Sequence, residues 1–355
     1  MLTKASDDAH LEKAKGCPAW LVSNAGANGY YHATLGSGST LRDGGKNLTL
    51  PELVGALGDV RALVRSGGMK PSAALAIVPE FAMHAERRVV DQDTAIAGLT
   101  EGTFMPADTW PSAASFIDRI FGPRARELGW EPRPSDNDEV RLLRHDLVRF
   151  AAGAGDDREL VQRAKDMAQR WLTDRKAINA GLLSDVLTVA AEHGDRDFFD
   201  KLHAVATSTH DRRERNAAIR ALGSFRDPAI SKDAMAVLLT KEFDAREAFF
   251  ALLFGPLRYP ETRALPFQFV KEHIDELMKR LPHEVGTDFA AGLPNVGSGF
   301  CNATQRDEVK AFFKDRVKNY VGGQRNLDQT IEKIDICIGE RKAIEPDIAR
   351  FLQTQ

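Results

Sequence analysis

The sequence is poor in cysteine. It has three, Cys17, Cys301 and Cys337, which lie far apart and form no Cys-x-x-Cys pair. Neither a disulfide framework nor a cysteine zinc site is therefore predicted, and three reduced thiols are expected. A chain of 355 residues, of which 43% are hydrophobic, is long enough to bury a sizeable core without either kind of cross-link.

Long apolar runs and blocks of like charge are also missing. The first twenty residues carry six charged side chains and no apolar stretch, so they do not resemble a secretory signal. No window reaches the roughly 18 apolar residues of a membrane span. Basic and acidic residues, 48 and 51 respectively, are interspersed and give a net charge of -3. The composition favours neither nucleic acid nor a membrane as a partner, and a cytoplasmic location is expected.

Catalytic motifs are absent as well. A zinc peptidase needs two histidines one helical turn apart, a third ligand and a glutamate base, so that the metal can activate water. The nine histidines form no His-x-x-x-His pair, and His283-Glu284 is followed by Val-Gly-Thr. No Gly-x-Ser-x-Gly elbow occurs, and the glycine-rich segment 24–29 lacks the features of a phosphate loop. We therefore predict no catalytic residue, metal ligand or cofactor site on this chain.

The first 45 residues differ from the rest. Residues 19–23 and 30–34 read as two short strands joined by a loop rich in Asn and Gly, which predicts a β-hairpin. Residues 36–45 have the composition of a flexible linker. The sequence thus predicts two parts, a strand segment with its linker over 1–45 and a helical domain over 46–355.

The second part reads as a succession of short amphipathic helices. Thr49-Leu-Pro-Glu52 has the pattern of a capping box and predicts a helix that continues to Gly67-Gly68. Further helices are predicted over 71–88, 110–128, 138–152, 159–173, 182–193, 198–206, 212–225, 230–239, 308–320, 327–338 and 344–352.

A weak internal repeat suggests how the helices are arranged. The segments 151–156 (AAGAGD) and 190–195 (AAEHGD) begin 39 positions apart, and Phe225-Arg-Asp-Pro228 follows one unit later. Helix pairs of roughly 40 residues are typical of HEAT and armadillo repeats. The predicted fold is mainly α: a HEAT/armadillo-like α-solenoid of paired antiparallel helices, preceded by a short N-terminal β-hairpin.

Several local patterns stand in the same order as in one known family. They are Asn24 with Gly29-Tyr-Tyr31, Leu128-Gly-Trp130, Arg220-Ala-Leu-Gly-Ser-Phe225, Val296-Gly-Ser-Gly-Phe-Cys301 and the segment 322–334 (GGQRNLDQTIEKI). Together they cover nearly the whole chain. The sequence resembles the C-terminal region of the gluzincin zinc aminopeptidases, the group that contains puromycin-sensitive aminopeptidase, aminopeptidase N and the endoplasmic-reticulum aminopeptidases.

The resemblance implies that capping of the active site and catalysis belong to different domains. Residues 1 to about 40 would correspond to the last strands of the family's β-sandwich domain, and the remainder to its helical, bowl-shaped C-terminal domain, which caps the active site and limits substrate length. Zinc and the catalytic motifs would belong to another domain that this chain does not contain. The implied partners are peptide substrates and the N-terminal catalytic domains of an aminopeptidase, in cis or in trans.

Five residues are candidates for peptide binding, because guanidinium groups bind carboxylates bidentately and recognition often lies on loops. Each has an ordinary structural alternative: Arg325 and Gln324 as the start of a terminal helix, Arg220 as part of a solvated face, and Arg258 and Tyr259 as a simple connection between helices. The phenylalanines at 243, 249, 250, 254, 267 and 269 suggest an apolar pocket, with core packing as the default interpretation.

Two functional classes remain open. In the first, the chain is the C-terminal helical domain of a zinc metallo-aminopeptidase and shapes its peptide cavity. In the second, it is a stand-alone α-solenoid adaptor that binds a protein or an extended peptide. The predicted hairpin favours the first class, since an adaptor has little use for two strands with exposed edges.

Overall fold

The computed structural model describes residues 21–34, 45–284 and 287–355, together with Gly16, Pro18 and Leu41. The chain is mainly helical, as predicted. The α-helices are α1 Leu50–Ser66, α2 Pro71–Leu75, α3 Val78–Phe81, α4 Arg87–Ala97, α5 Trp110–Leu128, α6 Asp138–Gly153, α7 Arg158–Thr173, α8 Leu183–Glu192, α9 Arg196–Ser208, α10 Arg212–Leu222, α11 Pro228–Ala236, α12 Ala245–Phe249, α13 Leu265–Arg280, α14 Ala303–Phe313, α15 Gly323–Ala343 and α16 Glu345–Gln353.

Shorter elements connect these helices. A π-helical turn, Phe250–Phe254, continues α12. The 3-10 segments are Ala25–Ala27, Gly45–Asn47, Gly98–Glu101, Ala107–Thr109, Val237–Leu239, Gly255–Arg258, Phe289–Gly299 and Arg316–Asn319. Within the described ranges the only strands are β1 His283–Glu284 and β2 Thr287–Asp288, an antiparallel pair in which His283 lies opposite Asp288. No helix in the described part of the chain is both long and apolar enough to cross a membrane.

Side chains that cap helix N-termini explain where half of the helices begin. The predicted capping box is confirmed: Thr49 and Glu52 cap α1. Asparagine or aspartate side chains accept hydrogen bonds from the first-turn N–H groups of seven further helices, a common way of satisfying those donors. These caps are Asn137, Asp157, Asp195, Asp211, Asp227, Asp244 and Asn302.

The helices pack in two sets. Helices α4, α6, α8, α10 and α12 contact one another in succession, and α5, α7 and α9 pack against members of this first set. We call α4, α6, α8, α10 and α12 the inner helices. The contacts also extend from one end of the chain to the other, because α16 packs against both α2 and α5. The N–H of Ser72 donates to Asp347 at 2.8 Å, and the rings of Phe116 and Phe351 meet edge-on.

The predicted hairpin is not formed within residues 21–34; Ala19 and Trp20 lie outside the described residues. Side chains bind the backbone there in place of a strand ladder: Asn24 exchanges hydrogen bonds with Gly29, and the hydroxyl of Tyr31 donates to the carbonyl of Ser23 at 2.6 Å. Asp59 of α1 holds the segment by accepting from the N–H of Ala33 at 3.2 Å. The predicted linker over 36–45 lies largely outside the described residues.

Several helix predictions also need correction. The helix predicted over 71–88 is broken into α2, α3 and the start of α4, and Pro79 lies near the start of the second piece. Helices α12 and α13, the latter with Pro266 in its first turn, were not predicted, and the helix predicted over 308–320 runs from Ala303 to Phe313. Of the clustered phenylalanines, four are buried in the core as the default interpretation expects, whereas Phe250 is 60% exposed.

The expectation of three reduced thiols is wrong for two of the cysteines. Cys301 and Cys337 form a disulfide across 36 residues of chain, with their Cα atoms 5.2 Å apart. The 3-10 segment Phe289–Gly299 packs against α15 and brings the two residues together. This approach depends on tertiary packing, so neither the spacing of the cysteines nor a local motif could reveal it. Cys17 lies outside the described residues.

Replacing both cysteines, as Cys301→Ala/Cys337→Ala, is expected to lower the free energy of unfolding by about 4 kcal/mol. The reason is that a cross-link closing a loop of this length restricts the unfolded chain. Urea unfolding under oxidising conditions measures the change, with Cys17→Ala as the control. An unfolding midpoint equal to that of the unmodified chain would contradict the expectation.

One buried acid makes stability depend on pH. Asp93 of α4 is 0% exposed, and neither carboxylate oxygen has a hydrogen-bond partner within the described structure. Burial raises the pKa of Asp93 to about 8. Between the pKa of the unfolded chain and this value, the folded state retains a proton that the unfolded state releases. The free energy of unfolding therefore falls as the pH rises through this interval.

The variant Asp93→Asn is expected to remove the contribution of this carboxyl group to the pH dependence, at most about 1.4 kcal/mol per pH unit, and to leave that of Glu101, whose pKa is also raised by burial. Urea unfolding of the two proteins, from about pH 5 to about pH 8, gives the slope directly. The exposed Asp108→Asn variant is the control and should keep the original slope. Equal slopes of the free energy of unfolding against pH for Asp93→Asn and the unmodified chain would contradict the raised pKa of Asp93.

Candidate functional site

The C-terminal ends of inner helices converge with the loop that follows the π-helical turn. Arg149 lies one turn before the end of α6, Glu192 is the last residue of α8, and Arg258 and Tyr259 follow α12 and the turn. We call Arg149, Glu192, Arg258 and Tyr259 the Glu192 cluster.

Close backbone packing places the loop that carries Arg258. Gly223, directly after α10, lies so near the π-helical turn that a Cβ atom at this position would stand 2.0 Å from the carbonyl oxygen of Ala251. Only glycine permits this approach. The Arg220-Ala-Leu-Gly-Ser-Phe225 pattern therefore holds α10 against the segment that leads to Arg258 and Tyr259.

Glu192 is the centre of the cluster. Its side chain is only 1% exposed, and it forms an ion pair with Arg149. The hydroxyl of Tyr259 donates to Glu192 Oε1 at 2.6 Å, and Arg258 Nη1 lies 3.7 Å from the same oxygen. A buried carboxylate is stable only when it is paired and hydrogen-bonded, so this set of partners fixes the relative positions of three chain segments.

The exposed member of the cluster is Arg258. Its side chain is 52% exposed, and its guanidinium lies 5.6 Å from the centre of the Tyr259 ring. One ion pair at 3.7 Å leaves much of the hydrogen-bonding capacity of this five-donor group directed to solvent. Arg258 can therefore bind an additional anion while Glu192 and Tyr259 hold its base in place.

Burial changes the acid–base behaviour around the cluster. It raises the pKa of Tyr259, and the neighbouring Glu192 carboxylate raises it further, so the phenol stays a hydrogen-bond donor. Burial also raises the pKa of Glu101, at the end of the 3-10 segment after α4, to about 7, against the opposing charge of Arg258. The charge facing Arg258 therefore changes near neutral pH.

A second set of charges lies beside Tyr259. Arg226 donates to Glu261 at 2.9 Å and to Asp156 at 3.4 Å, and its guanidinium lies 5.7 Å from the centre of the Tyr259 ring. Asp156 and the neighbouring His193 line a cavity of about 760 Å³. Burial lowers the pKa of His193 despite the nearby Asp156 carboxylate.

Of the five predicted binding residues, the structure brings two together, Arg258 and Tyr259. Arg220 is exposed on α10, and Arg325 is exposed at the start of α15; within the described residues neither side chain has a hydrogen-bond or ion-pair partner. Gln324 donates to Asp328 at 2.8 Å and lines a separate groove beside α15. No contact within the described chain joins Gln324 or Arg325 to the Glu192 cluster.

Sequence reasoning missed Arg149 and Glu192. A signal for Glu192 was present, because it ends the apolar run Val189-Ala-Ala191 inside the repeated segment 190–195. A charge that interrupts a buried helix face needs a partner, although the sequence does not say which one. Within the described residues, no group of three or more His, Cys, Asp or Glu side chains is placed to hold a metal ion.

Comparison with known proteins gives the class to which this helical architecture belongs. A sequence model of the ERAP1-like C-terminal domain family matches residues 20–336. The chain belongs to this family, and the resemblance to the C-terminal region of the zinc aminopeptidases is confirmed.

Individual relatives are distant. The chain is 25% identical to aminopeptidase 2 of Candida albicans over 291 residues, which are 81% of this chain and 31% of that protein. It is 25% identical to the mitochondrial aminopeptidase 2 of Saccharomyces cerevisiae, with 81% and 30% covered. It is 23% identical to aminopeptidase M1 of Arabidopsis thaliana, with 92% and 37% covered. The chain spans about a third of the length of these relatives.

The variant Arg149→Met is expected to lower the free energy of unfolding by about 3 to 5 kcal/mol, because it leaves the buried Glu192 carboxylate without its main partner. Adding Glu192→Gln should recover at least half of this loss, since glutamine is neutral and can still accept from Tyr259. Urea unfolding of both variants is the measurement. A double variant less stable than Arg149→Met alone would show that the pairing of Glu192 does not limit stability.

Proposed function

We propose that this chain is the helical C-terminal domain of a metallo-aminopeptidase, that it caps the active site and shapes the peptide cavity, and that it carries no catalytic residue. The observation that carries the proposal is the family match over residues 20–336. The zinc and the catalytic residues would belong to the part of the relatives that this chain does not span.

We propose that the inner helices line the cavity as the inner layer of a HEAT-like bowl. Two observations support this arrangement. The inner helices contact one another in succession, while α5, α7 and α9 pack against them, as in curved arrays of helix pairs. The Glu192 cluster, with its exposed Arg258, lies at the ends of these helices. In this arrangement Arg258 binds a carboxylate of the bound peptide.

Peptide binding by the chain tests the role of Arg258. A fluorescein-labelled decapeptide with a free C-terminal carboxylate is compared with its C-terminal amide by fluorescence anisotropy. We expect Arg258→Met to weaken binding of the free acid about tenfold, a typical value for the loss of one charge-assisted hydrogen bond. It should change binding of the amide little.

Arg220→Met and Arg325→Met are matched controls, since both arginines are exposed and should not affect the difference between the two peptides. Equal binding of acid and amide by the unmodified chain would contradict the role of Arg258. Release of N-terminal residues from peptides by this chain in the presence of zinc would contradict the absence of catalytic residues.

A further inference from the structure

Two guanidinium groups of the Glu192 cluster lie beside Gly153, the last residue of α6. A Cβ atom at this position would stand 2.3 Å from Nη1 of Arg149 and 3.4 Å from Nη2 of Arg258. Between them, these two cations share one carboxylate, because Glu192 pairs with both. The cluster itself therefore carries an excess positive charge, and Arg258 is the member that faces solvent.

A second carboxyl group, that of Glu101, faces the cluster from the end of the 3-10 segment Gly98–Glu101. The charged groups that act on it are Arg258, Glu192, Asp156 and Arg149. Within the described residues its side chain has no hydrogen-bond or ion-pair partner. When Glu101 is ionised, it offsets the excess positive charge of the cluster through space; when it is protonated, it does not.

Hydrogen bonds to the backbone keep Glu101 near Arg258. Two residues after Glu101, the carbonyl of Thr103 accepts from Nη1 of Arg263 at 3.0 Å. The N–H of Arg263 donates in turn to the carbonyl of Tyr259 at 2.9 Å. Arg263 thus joins the segment that carries Glu101 to the loop that carries Arg258, and this connection does not depend on the charge of Glu101.

The charge of Glu101 changes close to neutral pH. Burial raises the pKa of Glu101, against the opposing charge of Arg258, and the Glu192 carboxylate raises it further, to about 7. At pH 6 most molecules therefore hold a neutral carboxyl group there, and at pH 8 most hold a carboxylate. Since like charges repel, the carboxylate opposes binding of an anion to Arg258, whereas the neutral carboxyl group does not.

We propose that Glu101 controls anion binding at Arg258: its carboxylate form competes with a peptide carboxylate for this arginine, and its protonated form leaves the arginine free to bind one. The inference rests on the proposed function, in which Arg258 binds a carboxylate of the peptide. By reciprocity, a bound peptide carboxylate favours the protonated form of Glu101 to the same extent. The chain therefore binds the peptide carboxylate more tightly below neutral pH than above it.

The test compares a peptide acid with its amide at pH 6, 7 and 8. The probe is an N-acetylated decapeptide without ionisable side chains, and the second peptide is its C-terminal amide. Only the terminal carboxyl group can titrate, and it stays ionised throughout this range. Isothermal titration calorimetry of the unlabelled peptides avoids a dye that is itself sensitive to pH.

The affinity of the unmodified chain for the acid is expected to fall about fivefold from pH 6 to pH 8. This is the result if the bound carboxylate raises the pKa of Glu101 from about 7 to about 8. The affinity for the amide should stay constant, because the amide carries no charge that Glu101 can repel.

Glu101→Gln removes the charge and keeps the size of the side chain. At pH 8 this variant should bind the acid about fivefold more tightly than the unmodified chain does, and its affinity should not change with pH. Because the expected result is a gain of affinity, partial loss of folded protein cannot produce it. Glu80→Gln, at an exposed position, is the matched control and should keep the original pH dependence.

Two histidines near the cluster provide a further control. Burial lowers the pKa of His193, whereas a hydrogen bond to Asp146 raises that of His145, one turn before Arg149. Neither histidine is among the groups that act on Glu101. The double variant His145→Gln/His193→Gln should therefore keep the fivefold pH dependence.

The outcomes separate this inference from the proposed function. A preference for the acid over the amide that is the same at every pH would refute control by Glu101 and leave the proposed function standing. Retention of the pH dependence by Glu101→Gln, or its loss in the histidine double variant, would do the same. Equal binding of acid and amide at pH 6 would contradict both the role of Arg258 and its control by Glu101.

Discussion

A carboxylate as deeply buried as that of Glu192 destabilises a protein unless it is paired with a cation and hydrogen-bonded. The inner helices and the loop after the π-helical turn supply these partners. The partners come from different elements: Arg149 from α6, and Arg258 and Tyr259 from the loop after the π-helical turn. Breaking such a set is costly, whereas forming it contributes little net free energy, because desolvation offsets the attraction. Its main effect is to fix positions, and Arg258 is the group left facing solvent.

The fold allows this arrangement because the helices do not form a simple open row. Contacts between α16 and both α2 and α5 join the end of the chain to its beginning, and Arg341 of α15 donates to the carbonyl of Phe104 at 2.9 Å. In an open array each repeat contacts only its neighbours, so the end helices separate most easily. Here the first and last helices support each other, and the inner helices between them are held from both sides.

The part of the fold that could be predicted from sequence is the part that local interactions specify. The capping box at Thr49 and Glu52 and the aspartates before α9, α10 and α11 act within one turn, so helix positions follow from them. Pro79 lies within a region that reads as continuously apolar, and there periodicity alone joined three short helices into one. The Cys301–Cys337 pair and the loop over 21–34 depend on contacts across the chain, which no local pattern contains.

The residues of the candidate site could likewise be predicted from the sequence only in part. Arg258 and Tyr259 were predicted because they lie in a proline-rich break where recognition residues are common. Their proposed role depends on Glu192 and Arg149, which lie in helices whose sequences show no sign of a site. A guanidinium on a loop is usually mobile, and ordering it on binding costs side-chain entropy. At Arg258 the ring of Tyr259 and the carboxylate of Glu192 already restrict the side chain. Binding of an anion there costs little further side-chain entropy, because most of that entropy was lost during folding. Arg220 and Arg325 have the same chemistry without such support, which is the physical reason to propose Arg258, and not the other two, as the group that binds the anion.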